Sequence, residues 1–142
     1  MTQKSDFTFF HPLRVRWAEV DLQRVVFNGN YLLYFDVAFT EYWRATQLPG
    51  PLAQQAEGDE LFARKAQIEY HASAGFDDEL EIGVRCAKIG RSSMTIALAI
   101  FRGDQHLIDG ELVYVYADAL EKKSVAIPDA WRARINALEK PG

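Results

Sequence analysis

Residues Val15–Arg44 read VRWAEVDLQRVVFNGNYLLYFDVAFTEYWR, and they contain the only long helical pattern in the chain. The pattern predicts a helix from about Asn30 to Leu48, with Asn30 as its N-terminal cap and Pro49-Gly50 as its stop signal. When the helix is wound at about 100° per residue, one half of its circumference is apolar apart from Thr46. This half comprises Tyr31, Leu32, Tyr34, Phe35, Ala38, Phe39, Tyr42, Trp43 and Ala45. Since a surface helix has a narrower apolar stripe, we expect a sheet to wrap much of this helix.

Alternating apolar and polar residues predict five β-strands. The first, Phe9–Ala18, precedes the helix and places Leu13, Val15 and Trp17 on one face. A polar link over Pro51–Glu60 leads to four more strands, at Lys65–His71, Leu80–Ala87, Ser93–Arg102 and Leu107–Ala117, with turns at Gly75–Asp78 and Gly103-Asp104. A short terminal helix is predicted over Asp129–Leu138. This order predicts an α+β fold, with an antiparallel sheet curved around one long helix, in a single domain spanning residues 1–142.

The composition is that of an ordinary globular protein. The 142 residues are 49% hydrophobic and 25% charged, which argues against disorder, and the net charge of -4 argues against general nucleic-acid binding. The single cysteine, Cys86, lies in an alternating apolar pattern and is interpreted as a buried structural thiol. The polar N-terminus shows no signal peptide, and no apolar run is long enough for a membrane helix. A cytoplasmic protein that binds neither nucleic acid nor membrane is therefore expected.

A distinctive motif surrounds the start of the predicted helix. Its parts are Glu19, Asp21, the Val25-Val26-Phe27 step and the Asn30-Tyr31 pair, and the helix continues with Glu41-Tyr42-Trp43-Arg44. This stretch resembles the signature of the 4-hydroxybenzoyl-CoA thioesterase branch of the hot-dog superfamily. The predicted strand order is similar to that fold along essentially the whole chain. The resemblance implies a hot-dog fold, in which a curved five-stranded antiparallel sheet wraps one long central helix.

The resemblance also implies an enzyme, an acyl-CoA thioesterase that hydrolyses an acyl-CoA to a free acid and CoA. Asp21 matches the catalytic aspartate, which either attacks the thioester carbonyl or activates the water that does. The backbone N–H of Asn28 matches the donor that polarises the carbonyl, while Phe27, Asn30 and Tyr31 match positions that shape the pocket and start the helix. The chemistry is consistent, because a helix N-terminus offers unpaired N–H groups and partial positive charge to a developing oxyanion.

No metal or cofactor is expected, since coenzyme A is part of the substrate. His11, His71 and His106 are scattered along the chain without metal-ligand spacing, and no Gly-x-Ser-x-Gly elbow is present. His71 shares a strand face with Lys65 and Glu69, which favours an interface or surface role.

The motif departs from the family pattern at three positions. Arg24 stands where many relatives have Gly, and an Arg adopts a positive φ only at a cost. The loop is therefore expected to differ in conformation, or Arg24 to contact the ligand or pair with Glu19. Glu19 replaces a shorter Asp, and Asn28 replaces a His that some relatives carry.

Other charged residues are secondary candidates. Glu41, on the polar arc of the helix, is the reserve catalytic carboxylate, although a salt bridge with Arg44 is the simpler interpretation. Phosphates of CoA need cationic groups, and the best candidates for binding this end of the substrate are Arg91 and Ser92, within a cluster that also holds Arg85, Lys88 and Ser93.

Family members place the pocket between subunits, so the resemblance implies a homodimer or a homotetramer. Two other functions remain open at this level, a non-catalytic acyl-CoA binding or sensing protein and a hot-dog hydratase or dehydratase. The acyl group, and the choice between CoA and carrier-protein thioesters, are not defined by the residues.

Overall fold

The fold is seen in a computed structural model, which describes residues 2–48 and 59–140. They form, in chain order, β1 (Phe9–Arg14), α1 (Asn30–Thr46), β2 (Asp59–Tyr70), β3 (Glu79–Ile89), β4 (Ser93–Arg102), β5 (Gln105–Asp118) and α2 (Asp129–Glu139), with 3-10 turns at Lys4–Asp6 and Trp17–Glu19. The Pro49-Gly50 stop signal and most of the predicted polar link lie outside the described residues.

The five strands form one antiparallel sheet in the order β1-β3-β4-β5-β2. One face of this curved sheet packs against α1, as predicted. The closest approach is at Gly110 of β5, where an added Cβ would overlap the ring of Phe35 on α1. The predicted α+β class is therefore confirmed.

The buried face of α1 is largely the predicted one. It consists of Tyr31, Tyr34, Phe35, Ala38, Phe39, Tyr42, Trp43 and Thr46. Thr46 is buried although it is polar, because its hydroxyl donates to the Trp43 carbonyl at 2.5 Å. Leu32 and Ala45, which were predicted to lie on the apolar half, are exposed. They flank the stripe that the sheet covers, so the sheet wraps less of the helix than its composition suggests.

The predicted strands are all present, and all except β4 differ from the prediction at their ends. Strand β4 spans the predicted Ser93–Arg102, whereas β2 begins at Asp59 and thus six residues before the prediction. Strand β1 stops at Arg14, so the prediction that it continues to Ala18 is wrong. The reason is the 3-10 turn that follows, in which the Glu19 carboxylate accepts the Arg16 backbone N–H at 2.8 Å. This turn leaves Trp17 73% exposed whereas Val15 is buried, so the prediction that the two share a strand face is also wrong.

The terminal helix α2 closes the far end of the core. Trp131 contacts Trp43 of α1 and Tyr116 of β5, with ring centroids 4.9 and 4.6 Å apart. No helix among the described residues is long and apolar enough to cross a membrane.

Candidate active site

The motif region folds as a small hairpin that leads into α1. Val20 and Val26 form an antiparallel bridge. The Asp21 N–H donates to the Val25 carbonyl and the Phe27 N–H to the Glu19 carbonyl, each at 3.0 Å. The predicted catalytic residues therefore share one short unit, with Asp21 at its turn and Asn28 at its junction with the helix.

Asp21 opens a tight turn that ends at Arg24. The Arg24 N–H donates to the Asp21 carbonyl at 2.9 Å, and Oδ1 of Asp21 accepts the Gln23 N–H at 2.8 Å. No cation among residues 2–48 and 59–140 forms an ion pair with Asp21, which is half-buried. Its second carboxylate oxygen thus has no partner in the described part of the chain, and is free to meet a water or a carbonyl carbon.

Arg24 adopts a backbone conformation that favours glycine. Its φ is 68°, in the left-handed region, where a side chain costs roughly 1–2 kcal/mol. The backbone of the turn is therefore strained at Arg24. The expected pair between Arg24 and Glu19 does not form, because Arg16 occupies that carboxylate.

Glu19 holds the hairpin to its surroundings. Its carboxylate accepts hydrogen bonds from Arg16 Nε at 3.0 Å and from the Tyr34 hydroxyl at 2.9 Å. Its carbonyl accepts the Asn30 side-chain N–H at 2.9 Å. Partial burial alone would raise the pKa of Glu19, but the hydrogen bonds from Arg16 and Tyr34 outweigh it and hold the pKa below its ordinary value. The longer acid therefore remains ionised and anchors the loop.

The backbone N–H groups at the start of α1 are the predicted donors to the thioester carbonyl. Gly29 is the N-cap and Asn30 the first helical residue, so the prediction that Asn30 caps the helix is wrong, because its side chain bonds to Glu19 instead. The Asn30 N–H donates to the Phe27 carbonyl at 2.8 Å. In the described part of the chain, no acceptor meets the N–H of Asn28, which lies at the positive end of the helix dipole.

The loop after β2 supports the hairpin from outside. The Val26 N–H donates to the Ala74 carbonyl at 2.9 Å, and Val25 bridges to Gly75. The Ala74 N–H in turn donates to the hydroxyl of Tyr31, whose ring is only 2% exposed. Tyr31 thus starts the helix as predicted, but its ring lies in the core beneath the loop.

Sequence patterns did not identify two other contributors to the site. The Tyr34 hydroxyl reaches Glu19, and the Tyr70 hydroxyl donates to the Asn28 carbonyl at 3.3 Å. Their spacing marks them only as apolar positions of a helix and a strand, so no sequence signal distinguishes them.

An exposed apolar surface surrounds the helix start. Its members are 42–63% exposed, and they are Phe27, Leu32, Leu33, Val37 and Tyr70. Phe27, which was predicted to shape the pocket, is one of them. Contiguous exposed apolar residues of this kind commonly mark a ligand site or an interface.

Glu41, the reserve catalytic carboxylate, lies away from the Asp21 hairpin. Glu41 pairs with Arg44 Nε at 3.1 Å, which is the simpler of the two interpretations. It is eleven residues beyond the first helical residue, and thus about 16 Å along the helix axis. The hairpin and Glu41 are therefore not brought together within one chain.

Arg91 and Ser92 lie at the opposite end of the sheet from Asp21. The Ser92 carbonyl accepts the Tyr116 N–H at 2.7 Å, and Tyr116 pairs with Leu61 near the start of β2. The Asp21 hairpin instead adjoins the loop after Tyr70, at the end of β2. Nine residues of strand separate these positions, roughly 30 Å.

Two of the three histidines are close together in the structure, although they are far apart in the sequence. The rings of His71 and His106 are 5.0 Å apart, and Asp109 lies between their Nε2 atoms. Pairing of β2 with β5 brings them together, and spacing along the chain does not reveal this.

Comparisons with known proteins agree with this architecture. Residues 23–108 match the sequence profile of the thioesterase superfamily. The acyl-CoA thioester hydrolase YbgC of Escherichia coli is 30% identical over 121 residues, which are 84% of this chain and 90% of that protein. The PA5185 protein of Pseudomonas aeruginosa superposes with a TM-score of 0.83 at 27% identity, covering 98% of this chain and 96% of that one. Slr0204 of Synechocystis, a 1,4-dihydroxy-2-naphthoyl-CoA thioesterase, shares the fold at 18% identity, with a TM-score of 0.82 over 94% of this chain and 98% of that one. The chain therefore belongs to the thioesterase superfamily.

Proposed function

We propose that this chain hydrolyses acyl-CoA thioesters at the start of α1, with Asp21 as general base or nucleophile and the Asn28 N–H polarising the carbonyl. The observation that carries the proposal is the motif hairpin. Within residues 2–48 and 59–140, its Asp21 carboxylate has no ion-pair partner and the Asn28 N–H at the adjacent helix start has no acceptor. The likeness to the acyl-CoA thioester hydrolase YbgC supports the substrate class.

The reaction needs two things from the protein. Negative charge develops on the thioester oxygen as the carbonyl carbon is attacked, and a free N–H at the positive end of a helix stabilises it. A carboxylate either takes the proton of the attacking water or attacks the carbon itself. In both routes the C–S bond breaks, CoA leaves as a thiolate that takes up a proton, and a water supplies the oxygen of the free acid.

A homodimer accounts for the separation of Asp21 from the predicted CoA-binding residues. Strand β2 is a twelve-residue edge of the sheet, and such edges readily pair with another strand. Twofold symmetry pairs two β2 strands antiparallel. The end of one strand, beside the Asp21 hairpin, then faces the start of the other, beside Arg91 of the partner subunit.

We therefore assign each site to two subunits. One chain supplies Asp21 and the Asn28 N–H, and its partner supplies Arg91 and Ser92 for the phosphates of CoA. The exposed apolar surface around Phe27 and Leu33 is covered partly by the partner and partly by the acyl chain. No cofactor takes part in this scheme.

Free-thiol release from short, medium, long-chain and aryl acyl-CoAs tests the function and identifies the acyl class. The parent protein is expected to turn over at least one class. Glu41→Gln is the matched carboxylate control and is expected to keep the parental rate. Binding of acyl-CoA by calorimetry without turnover would instead favour a sensing protein, and conversion of an enoyl-CoA without thiol release would favour a hydratase.

A further inference from the structure

His71, His106 and Asp109 form a compact cluster that the proposed reaction does not use. Nε2 of His71 lies 3.2 Å from Oδ2 of Asp109, and Nε2 of His106 lies 3.0 Å from Oδ1. One ligand atom from each residue can be chosen so that all three lie within 4.8 Å of one another. These are the side-chain types that bind divalent transition metals.

The backbone holds the cluster in place. The N–H groups of His71 and Ala72 both donate to the Leu107 carbonyl, at 2.9 and 3.0 Å, which fixes the end of β2 beside the start of β5. Asp109 pairs across the two strands with Glu69. Gly110, the next residue on β5, faces α1, so Asp109 points to the opposite face of the sheet and the cluster lies outside the core.

We propose that His71, His106 and Asp109 bind a divalent transition metal, with Zn²⁺ as the best match to the ligands. Ligand atoms about 2.0–2.2 Å from a tetrahedral zinc ion lie about 3.3–3.6 Å from one another. The two observed N–O separations are slightly shorter and involve different oxygens of Asp109, while the three ligand atoms lie within 4.8 Å of one another, so side-chain rotations bring them to the spacing that the ion requires. Three protein ligands leave a fourth position for water.

The surrounding charge favours a cation. A depression on this face is lined by four acidic residues, Asp6, Glu69, Asp109 and Glu111, and by one cationic residue, Arg85. Lys65 lies 3.5 Å from Glu111, but Glu69 and Asp109 are like charges directly opposite each other on paired strands, an arrangement that destabilises a sheet. A bound cation between the histidines and Asp109 relieves that repulsion.

Without metal, the same atoms form a hydrogen-bonded triad. Nε2 of His106 also lies 3.1 Å from the Ile108 carbonyl, a contact that is a hydrogen bond when this nitrogen carries the proton. Metal binding moves this proton to Nδ1, so that the Nε2 lone pair faces the ion. The same three side chains can therefore be joined either by hydrogen bonds or by a bound metal ion.

Titration of Zn²⁺ into tag-free, chelator-treated protein by calorimetry tests the proposal. His71→Asn and His106→Asn are expected to lower the affinity at least about a hundredfold, the upper end of the loss seen when only a hydrogen-bond partner of a metal ligand is removed. His11→Asn is the matched control, since His11 lies on β1 away from the cluster, and it is expected to bind as the parent does. Asp21→Asn is also expected to bind fully, which separates this test from that of the catalytic proposal.

The visible spectrum of the Co²⁺-loaded parent protein provides a second readout that needs no variant. Intense bands typical of four-coordinate cobalt with nitrogen and oxygen ligands are expected, without a thiolate band, because the cluster contains no cysteine and Cys86 lies on β3. A spectrum of hydrated cobalt, or Zn²⁺ affinity equal in the parent and in His71→Asn, would overturn the proposal and leave a hydrogen-bonded triad only.

Discussion

Arg24 shows how one residue can retain a loop at a cost in stability. Its φ is in the left-handed region because the turn after Asp21 closes there without a glycine. Arg24→Gly is therefore expected to raise the free energy of unfolding by about 0.5–1 kcal/mol, since strain relief exceeds the added entropy of the unfolded chain. Urea denaturation measures this change.

The neighbouring residue provides the control for this prediction. Gln23 is not among the positive-φ residues, so Gln23→Gly relieves no strain and is expected to destabilise the protein. Equal effects of the two substitutions would show that the turn is not strained at Arg24.

The lowered pKa of Glu19 predicts how the stability of the protein depends on pH. Its pKa is lowered in the folded protein, so the ionised carboxylate stabilises the fold above the ordinary value of about 4.3. This stabilisation is lost as the pH falls through the lowered pKa. The difference in unfolding free energy between the parent and Glu19→Gln is therefore expected to be largest at neutral pH and to shrink in acid. A difference independent of pH would contradict the account.

At the residue scale, the sequence predicted what is local. Asp21, Asn28 and Asn30 lie within one motif, and the structure places them on one hairpin and its helix. The roles of Tyr34 and Tyr70 depend on hydroxyl groups at the ends of apolar rings, whose partners come from other turns and strands. Hydrophobic periodicity does not resolve where such a hydroxyl points.

At the element scale, Gly110 controls how closely α1 approaches the sheet. A Cβ at this position would overlap the Phe35 ring, and Phe35 is fully buried. Gly110→Ala is expected to lower the unfolding free energy by about 1–3 kcal/mol, the usual cost of overpacking. Thermal denaturation followed by circular dichroism provides the measurement.

A second glycine provides the comparison. At Gly75 an added Cβ would be 3.7 Å from its nearest neighbours, an ordinary contact. Gly75→Ala is therefore expected to change stability much less than Gly110→Ala. The reverse order would mean that close packing of α1 on β5 does not limit the stability of the core.

The elements themselves could be predicted because alternation and helical periodicity are strong in this chain. The bounds of β4 agree fully, and those of α2 differ by one residue. The errors occur where a side chain competes with regular structure. Glu19 ends β1 early by capping a 3-10 turn, and pairing with β5 extends β2 back to Asp59, through residues that show no clear alternation.

At the scale of the whole molecule, the shared site predicts complementation between two inactive proteins. Asp21→Asn and Arg91→Glu damage the two halves of each proposed site. If these halves come from different subunits, a mixed dimer contains one intact site. Random exchange of equal amounts is then expected to restore about a quarter of the parental activity.

The same experiment tests the alternative arrangement. If Asp21 and Arg91 of one chain served the same site, every mixed dimer would contain two damaged sites. Activity that stays at the level of the separate variants would therefore contradict the shared site. Light scattering before and after mixing checks that dimers are present and exchange.

The arrangement of the strands within the sheet was the least predictable feature of the molecule. The separation of Asp21 from Arg91 follows from the length of β2, and the meeting of His71 with His106 follows from the pairing of β2 with β5. Neither relation is visible in the order of residues, because both depend on which strands become neighbours. The motif therefore predicts the reacting residues. The strand order of the sheet determines where Arg91 lies relative to Asp21, and that His71 lies beside His106.

The most direct test of the account is kcat/KM for thiol release by Asp21→Asn with the acyl-CoA that the parent hydrolyses best. The variant preserves size and its hydrogen bond to Gln23 but removes the negative charge. We predict a fall of at least about a hundredfold with an unchanged circular dichroism spectrum, as expected when a general base or nucleophile is lost. A folded variant that hydrolyses the thioester at the parental rate would contradict the assignment of Asp21.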